Sequence, residues 1–339
     1  RESLLDTRTI MTMAHLGARA FGQISGEVVQ TTAWVLAKAH LADYQPVFFR
    51  LIDGNEEEKQ RALLARENRH SHTQQTDFKK IPGSPVAYWI SKKVRDTFKS
   101  NKPLDSIAAV RQGLATSDND LFLRLWHETS INNACFSAED NSKALASTKK
   151  WFPHSKGGAF RRWYGNREYL VNWENDGFEI KNFKDDHGDV KSRPQNIDYY
   201  FKPSVSWTLI SSSAAAFRYE PVGNLFGHKG PGVFHENNQF VKNLMGYLNS
   251  KVALTHLSII SPTLGFETGQ VSKLPIVDVK NTSASSLIKF TKLDWDSFEG
   301  SWDFVGSPLL AAKRESVKLA FAAWQAENAA AVAEMQRLE

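Results

Sequence analysis

The feature that most limits the fold of this chain is a series of short β-prone runs between residue 107 and about residue 276, each bounded by Gly, Pro, Asn or Ser. Runs rich in β-branched and aromatic residues favour strands, and Gly and Pro end them. The clearest runs are residues 169–173, 205–210 and 216–219. This pattern predicts an irregular, mainly β domain.

Helical patterns interrupt and follow these runs. In residues 238–260, Phe240, Leu244 and Leu248 recur at helical spacing and predict one helix that lies across the sheet. Near the end, Ser307 is a candidate N-cap with Pro308 in the first turn of an Ala-rich helix. Before the β-prone region, residues 54–70 predict a charged helix, and residues 88–99 predict a second, short helix that should bury Trp89, Val94 and Phe98.

The first 39 residues predict a helical start followed by a pair of strands that turns around Ser25 and Gly26. Two strands cannot bury both faces alone, so we expect them to close the edge of a sheet whose other strands precede Arg1. An opening that resembles the middle of a helix, without an initiator Met, indicates a piece of a longer polypeptide.

Composition places the chain among ordinary soluble proteins. It has 339 residues, 41% of them hydrophobic, and its 42 basic and 37 acidic residues leave a net charge of +5. No apolar run approaches the roughly 20 residues that span a bilayer, and no signal peptide is visible. A single cysteine, Cys135, excludes an internal disulfide and a cysteine-based zinc site. We expect a cytoplasmic protein without a membrane segment.

One stretch of the sequence suits nucleic acid. Residues 149–167 contain six Lys or Arg residues and no acid, interleaved with Trp151, Phe152, Phe160, Trp163 and Tyr164. Cations neutralise backbone phosphates, and flat side chains stack on bases. The alternative is a solvated basic loop whose aromatic residues belong to a sheet core. Composition alone leaves both interpretations open.

Other motifs are less specific. Residues 113–122 predict a structured turn, or a phosphate-facing loop with Arg111 and Thr116. Residues 227–232 could bring Lys229 to a phosphate but lack Walker spacing. Asp185 and its acidic neighbours favour a solvated turn over a metal site. Because no zinc spacing, nucleophile elbow or nuclease motif is present, we assign no catalytic residue and no metal to this chain.

An ordered series of motifs resembles a known family. It comprises residues 26–36 (GEVVQTTAWVL), the turn at 113–122, residues 150–153 (KWFP), residues 247–251 (YLNSK) and residues 262–264 (PTL). The series resembles the C-terminal part of the PglX-type adenine-specific DNA methyltransferases of BREX phage-defence systems and related type IIG enzymes. The resemblance implies methylation of double-stranded DNA, S-adenosylmethionine as cofactor, and partners among other phage-defence proteins. The family's cofactor loop and its Asn-Pro-Pro-Tyr motif do not occur in these residues.

The resemblance also implies roles for individual residues. The DNA-binding set comprises cations that meet phosphates or guanine edges, flanking residues of the same cleft, and rings that fill a groove or support the loop: Arg111, Thr116, Lys156, Arg161, Arg162, Trp163, Tyr164, Arg167, Arg218 and Lys229. Some relatives place an aromatic residue where this chain has Val29, so Val29 and Gln30 are candidates for the pocket of the extruded adenine.

The predicted fold class is α/β plus a mixed, mainly β part. Residues 1–42 would close a Rossmann-like methyltransferase sheet, 43–106 would form a helical connector, 107–290 an α+β target recognition domain, and 291–339 a C-terminal linker and helix. Alone, these residues should bind DNA without transferring a methyl group. The alternatives are a stand-alone DNA specificity module of a restriction-modification system and a carbohydrate- or protein-binding β module.

Overall fold

A computed structural model describes residues 2–22, 30–211, 213–262, 264–277, 279, 283–311 and 315–339. The chain folds as two units, residues 1–102 and 103–339. Both combine helices with small mixed or antiparallel sheets, so the predicted mixed α/β class is confirmed. Among the helices of these described ranges, none is both long enough and apolar enough to cross a bilayer.

In its described residues, the first unit combines a small mixed sheet with three α-helices. Its strands are β1 (Thr9–Gly17), β2 (Thr31–Ala37), β3 (Val47–Arg50) and β4 (Arg69–His70), and its helices are α1 (Glu2–Thr7), α2 (Glu56–Leu64) and α3 (Lys92–Ser100). In the described part of this unit the strand order is β2-β1-β3-β4. Strand β1 runs parallel to β3 and antiparallel to β2. The core contains Ile10, Met13 and Phe48, and the Phe48 ring stacks on Tyr88 with centroids 4.4 Å apart.

A buried lysine ties α2 to this sheet. Lys59 is 3% exposed, and its ammonium group donates to the carbonyl oxygens of Leu16, Leu51 and Ile52 at 2.6, 3.0 and 3.0 Å. Burial lowers the pKa of Lys59, and the nearby carboxylate of Asp53 opposes this. Because all three donors have acceptors, the charge can stay inside without an orphaned hydrogen bond.

The N-terminal predictions need correction. A strand pair exists, but β1 lies in the segment predicted to be helical, because Thr9, Ile10 and Thr12 are β-branched and favour extended backbone. The predicted turn at residues 25 and 26 lies outside the described residues. The segment 43–106, predicted as a helical connector, also adds β3 and β4 to the sheet. The Rossmann-like sheet stays a prediction.

The short helix at residues 88–99 also differs from its prediction. It begins at Lys92, after the N-cap Ser91, whose hydroxyl accepts the N–H of Val94 at 3.3 Å. The three apolar residues predicted to be buried, Trp89, Val94 and Phe98, are only half-buried. The buried residue is Arg95, whose guanidinium lies 2.6 Å from the Asp77 carboxylate.

The described part of the second unit contains two further sheets. Its strands are β5 (Ala109–Arg111), β6 (Leu123–Leu125), β7 (Trp151–Ser155), β8 (Tyr169–Asn172), β9 (Ser204–Trp207), β10 (Phe217–Glu220), β11 (Leu225–Phe226) and β12 (Gly232–Phe234). Its helices are α4 (Asn119–Phe122), α5 (Asn141–Ala146), α6 (Glu174–Lys181), α7 (Asn238–Leu248), α8 (Lys251–Ile260), α9 (Thr268–Val271), α10 (Ala284–Trp295), α11 (Pro308–Ala311) and α12 (Val317–Leu338). The predicted runs near residues 169, 205 and 217 are confirmed as β8, β9 and β10.

Each sheet of this unit has its own core. Within the described ranges, one sheet has the antiparallel order β10-β9-β12-β5 and the other has the mixed order β11-β7-β8-β6. One face of the first sheet presents Val205, Phe217 and Val233, which share a hydrophobic cluster with residues of α7, α8 and α10. Phe152 and Val171 of the second sheet belong to a separate cluster. These cores hold the strand ends and loops that form the candidate site.

Two helix predictions for this unit are corrected. The insertion at 238–260 is two helices, because Asn249 ends α7 and the Ser250 hydroxyl caps α8 by accepting the N–H of Ala253 at 3.2 Å. Ser307 and Pro308 begin only the short α11, and the long Ala-rich helix begins after a second N-cap, Ser316.

Candidate nucleic-acid interface

Lys156 and Lys229 lie on two loops whose backbones are in contact. A Cβ atom added to Gly230 would lie 2.6 Å from the carbonyl oxygen of Ser155, and one added to Gly157 would lie 2.9 Å from the carbonyl oxygen of Lys229. Both distances are shorter than side chains tolerate, so glycine is required for this approach. The two lysines therefore start from adjoining backbone segments. We call residues 156–162 and 227–230 the basic loop pair.

Hydrogen bonds hold the loop pair together. The backbone N–H of Gly227 donates to the Ser155 carbonyl at 3.0 Å, and the carbonyl of Lys229 accepts from the N–H of Leu209 at 3.1 Å. Lys229 is exposed, whereas Lys156 is half-buried with its ammonium nitrogen 4.1 Å from the centroid of the Tyr169 ring. Both charges start from a fixed backbone, which reduces the ordering cost of binding an anion.

A buried arginine anchors the 156–162 loop from below. Arg218 is 1% exposed, and its guanidinium donates to the Arg161 carbonyl at 3.5 Å and to the Thr208 hydroxyl at 3.4 Å. Thr208 in turn donates to the Gly158 carbonyl at 3.0 Å, and the backbone N–H of Trp163 bonds to a β10 carbonyl at 3.0 Å. Arg218 therefore holds the loop, and its side chain does not reach the surface.

A second predicted cation lies in a buried ion pair. The guanidinium of Arg167 lies 2.5 Å from the carboxylate of Glu220, and both side chains are at most 5% exposed. Burial raises the pKa of Glu220, while the positive charges of Arg167 and Arg218 oppose the rise. Burial likewise lowers the pKa of Arg218, against the influence of Glu220 and Glu168. These groups form a polar layer inside the unit.

Three other predicted site residues also point inward. Trp163 and Tyr164 are each 4% exposed and belong to the hydrophobic cluster beneath the sheet. The indole N–H of Trp163 donates to the side chain of Glu339 at 2.9 Å. Thr116 is 7% exposed, and its hydroxyl donates to Asn119 at 2.7 Å within the turn before α4. These residues support the loops.

Arg161 and Arg162 are partly exposed and weakly paired. Their guanidinium groups lie 3.4 Å from Asp294 and 3.6 Å from Glu339, and the two arginine side chains are 36% and 31% exposed. Pairs of this length at the surface contribute at most about 1 kcal/mol, so an incoming phosphate can displace them. Phe160 lies between the loop glycines and these arginines, and it is 49% exposed. It belongs to the basic stretch singled out in the sequence, where it was not assigned a DNA-binding role.

Arg111 lies on the sheet edge near the loop pair. Its backbone pairs with Gly232, and its guanidinium carbon lies 5.2 Å from the centroid of the Tyr199 ring. The exposed Arg193, which the sequence did not single out, pairs with Ala115. The backbone N–H of His228 on the loop pair donates to the carbonyl of Leu114 at 2.8 Å, next to the residue that pairs with Arg193. Burial lowers the pKa of His228, and the charges of Lys229 and Arg193 lower it further.

The other segments singled out in the sequence are the turn at Gly113, the acidic segment at Asp185 and the pocket candidates Val29 and Gln30. A Cβ atom on Gly113 would overlap the Phe226 carbonyl oxygen, so the turn that begins there packs against the strand that precedes the loop pair. The acidic segment forms the predicted turn, with the Asp185 carboxylate accepting the N–H groups of His187 and Asp189. Gln30 is exposed in the first unit, and Val29 lies outside the described residues.

The chain is similar to adenine-specific methyltransferases. It is 45% identical over 312 residues to the adenine-specific methyltransferase BrxX of Escherichia coli O9:H4 (strain HS), a match that covers 91% of this chain and 25% of BrxX. It is 39% identical over 335 residues to the adenine-specific methyltransferase PglX of Lacticaseibacillus casei (strain Zhang), covering 94% of this chain and 28% of PglX.

These relatives confirm the resemblance to PglX-type methyltransferases drawn from the sequence motifs. The chain spans only 25% and 28% of the length of the two relatives. No protein-family model matches the chain.

Proposed function

We propose that the second unit recognises double-stranded DNA for an adenine-specific methyltransferase. The observation that carries the proposal is the basic loop pair, where backbone contacts through Gly157 and Gly230 support the exposed Lys229 and the half-buried Lys156. Arg161 and Arg162 follow on the same anchored loop, with weak surface pairs that phosphates can replace. Held cations of this kind give phosphate contacts, and an arginine can also read a guanine edge.

In this proposal, exposed or partly exposed residues contact DNA and buried residues hold the loops in place. Arg111, Lys156, Arg161, Arg162 and Lys229 meet DNA, and Arg193 and Phe160 join them. Arg167, Arg218, Trp163, Tyr164 and Thr116 act inside the unit, where they keep the loops in place. A base extruded from a duplex costs a few kcal/mol, which is about what several such contacts offset.

The chemistry belongs to the whole methyltransferase. We propose that it transfers a methyl group from S-adenosylmethionine to adenine in DNA, with cofactor and catalytic motif supplied by parts of the protein outside these residues, in phage defence in the cytoplasm. The names of both relatives favour this assignment over a stand-alone specificity module. Val29 and Gln30 remain candidates for the adenine pocket.

Salt-dependent duplex binding tests the proposal. Replacing Lys229 or Lys156 by Ala should weaken binding to all duplex sequences alike and reduce the slope of log affinity against log salt by about 1 per lysine. The double variant Arg161→Ala/Arg162→Ala should weaken binding further and alter sequence preference if either arginine reads guanine. Fluorescence anisotropy with several duplexes measures both effects.

Lys251→Ala supplies a charge-matched control, since Lys251 is an exposed lysine outside the loop pair. It should leave affinity and salt slope unchanged. Equal effects of Lys229→Ala and Lys251→Ala, or binding that does not respond to salt, would overturn the assignment and favour a sugar- or protein-binding surface.

A further inference from the structure

The first unit contains a cleft of about 590 Å³ that the proposed DNA-recognition surface does not use. One wall consists of residues around β4 and the turn that follows it, including His70, Thr73 and Asp77, and the other consists of Tyr88, Trp89 and the start of α3. This volume falls within the range of small-ligand sites.

Hydrogen bonds and an ion pair join the two walls. The Thr73 hydroxyl donates to the carbonyl oxygen of Tyr88 at 3.1 Å, and the Arg95 guanidinium lies 2.6 Å from the Asp77 carboxylate. Burial raises the pKa of Asp77, but Lys80, Arg95 and the N–H of Gln74 lower it by more, so the carboxylate stays ionised. The cleft is therefore held in shape before a ligand arrives.

The charged lining favours an anion. Its strongly basic residues are Lys80, Lys92 and Arg95, and the carboxylate that faces them is Asp77. Asp77 already pairs with Lys80 at 2.7 Å and with Arg95. Lys92 is exposed in the first turn of α3 and forms no ion pair with any residue in the described ranges. The N-terminus of α3 adds partial positive charge beside it.

The rest of the lining suits a flat ring. Trp89 is half-buried, with its ring at a right angle to Tyr88 at 5.2 Å and the Arg50 guanidinium carbon 5.3 Å from its centroid. The His70 ring lies 5.3 Å from Tyr88. Burial lowers the pKa of His70, and the charge of Arg50 lowers it further, which favours the neutral imidazole. The exposed amide of Gln45 can bond a base edge.

We propose that this cleft binds a nucleotide, with its phosphate at Lys92 and the start of α3 and its base against Trp89 and His70. Two sources carry this chemistry, a free mononucleotide and a nucleotide within single-stranded DNA. The site is independent of the basic loop pair, so failure of one assignment does not affect the other.

Calorimetric titration of the full chain with three probes tests the proposal. The probes are dAMP, deoxyadenosine and deoxyribose phosphate, which separate the base from the phosphate. Lys92→Ala should weaken dAMP and deoxyribose phosphate by about fivefold and leave deoxyadenosine unchanged. Trp89→Leu should weaken dAMP and deoxyadenosine by about fivefold or more and leave deoxyribose phosphate unchanged.

Lys93→Ala is the matched control, because Lys93 is the neighbouring exposed lysine of α3 and does not line the cleft. It should leave all three affinities unchanged. Photocrosslinking of a halogenated deoxyuridine monophosphate to the unsubstituted protein, followed by peptide mapping, should label Trp89. This measurement does not depend on whether Trp89→Leu folds.

A short single-stranded oligonucleotide then distinguishes the two sources, in a chain with Lys156, Arg161, Arg162 and Lys229 all replaced by Ala so that the basic loop pair contributes little. Tighter binding than dAMP identifies a strand as the ligand, and equal or weaker binding identifies the free nucleotide. Absence of dAMP binding, equal losses with Lys92→Ala and Lys93→Ala, or crosslinks confined to the second unit would each overturn the proposal.

Discussion

Gly230→Ala should displace the basic loop pair without changing any charge. The added methyl group would lie 2.6 Å from the Ser155 carbonyl oxygen and 2.9 Å from the backbone nitrogen of Gly157. Gly230 does not have a positive φ, so alanine fits the backbone conformation and the effect is purely steric. Backbone cannot rotate away as a side chain can, so the two loops must separate by several tenths of an ångström.

Gly230→Ala should lower the free energy of unfolding in two ways. Overpacking of a close contact costs about 1–3 kcal/mol, and separation weakens the hydrogen bond from Gly227 to Ser155, which contributes about 1 kcal/mol. A loss of about 2 kcal/mol lowers the melting temperature of a domain this size by about 4–8 °C. Duplex affinity should fall as well, because Lys156 and Lys229 move apart.

Thermal unfolding by circular dichroism measures the first effect, and duplex titration measures the second. Gly269→Ala is the control, since nothing lies within 4 Å of its added Cβ atom and alanine suits the helix α9. It should leave the melting temperature unchanged or raise it slightly. A Gly230→Ala protein as stable as the Gly269→Ala protein, with unchanged duplex affinity, would refute the reasoning.

Three further predictions concern stability. Burial lowers the pKa of His154 to about 3, so below pH 6.5 the unfolded chain binds a proton that the folded chain does not. The free energy of unfolding measured in urea should therefore fall by about 2 kcal/mol between pH 7 and pH 5. The His154→Gln protein should not show this loss. Arg167→Met should cost about 3–5 kcal/mol by leaving Glu220 unpaired, and Arg167→Met/Glu220→Leu should recover most of it in the same assay. Asn55→Ala, which removes the capping box of α2, should cost about 1 kcal/mol in thermal unfolding.

Strands and helices of the second unit were predictable where the spacing of apolar residues along the sequence matched the side chains that are buried. The runs at β8, β9 and β10 are apolar enough to cross a core, and their β-branched and aromatic residues favour extended backbone. Register and pairing were not predictable, because β7 pairs with the distant β11 and β12 lies between β9 and the distant β5. The break between α7 and α8 was visible in Asn249 and Ser250, but apolar spacing across it suggested one helix.

The candidate site was only partly predictable. The sequence marked residues 149–167 as basic and aromatic, yet could not show that Arg167 turns inward to Glu220 while Arg162 stays partly exposed. Direction depends on how the loop crosses the sheet edge, which local sequence does not encode. Arg193 was missed because it joins the site only through pairing with Ala115, far away along the chain.

The internal anchoring of the 156–162 loop by Arg218 and Thr208 has an evolutionary consequence. The groups that hold the loop are not the groups that face outward, so surface side chains can be exchanged while the scaffold keeps its stability. On the proposed function, a lineage under pressure to change its DNA target could therefore acquire new preferences through a few codon changes in this segment, without passing through unfolded intermediates.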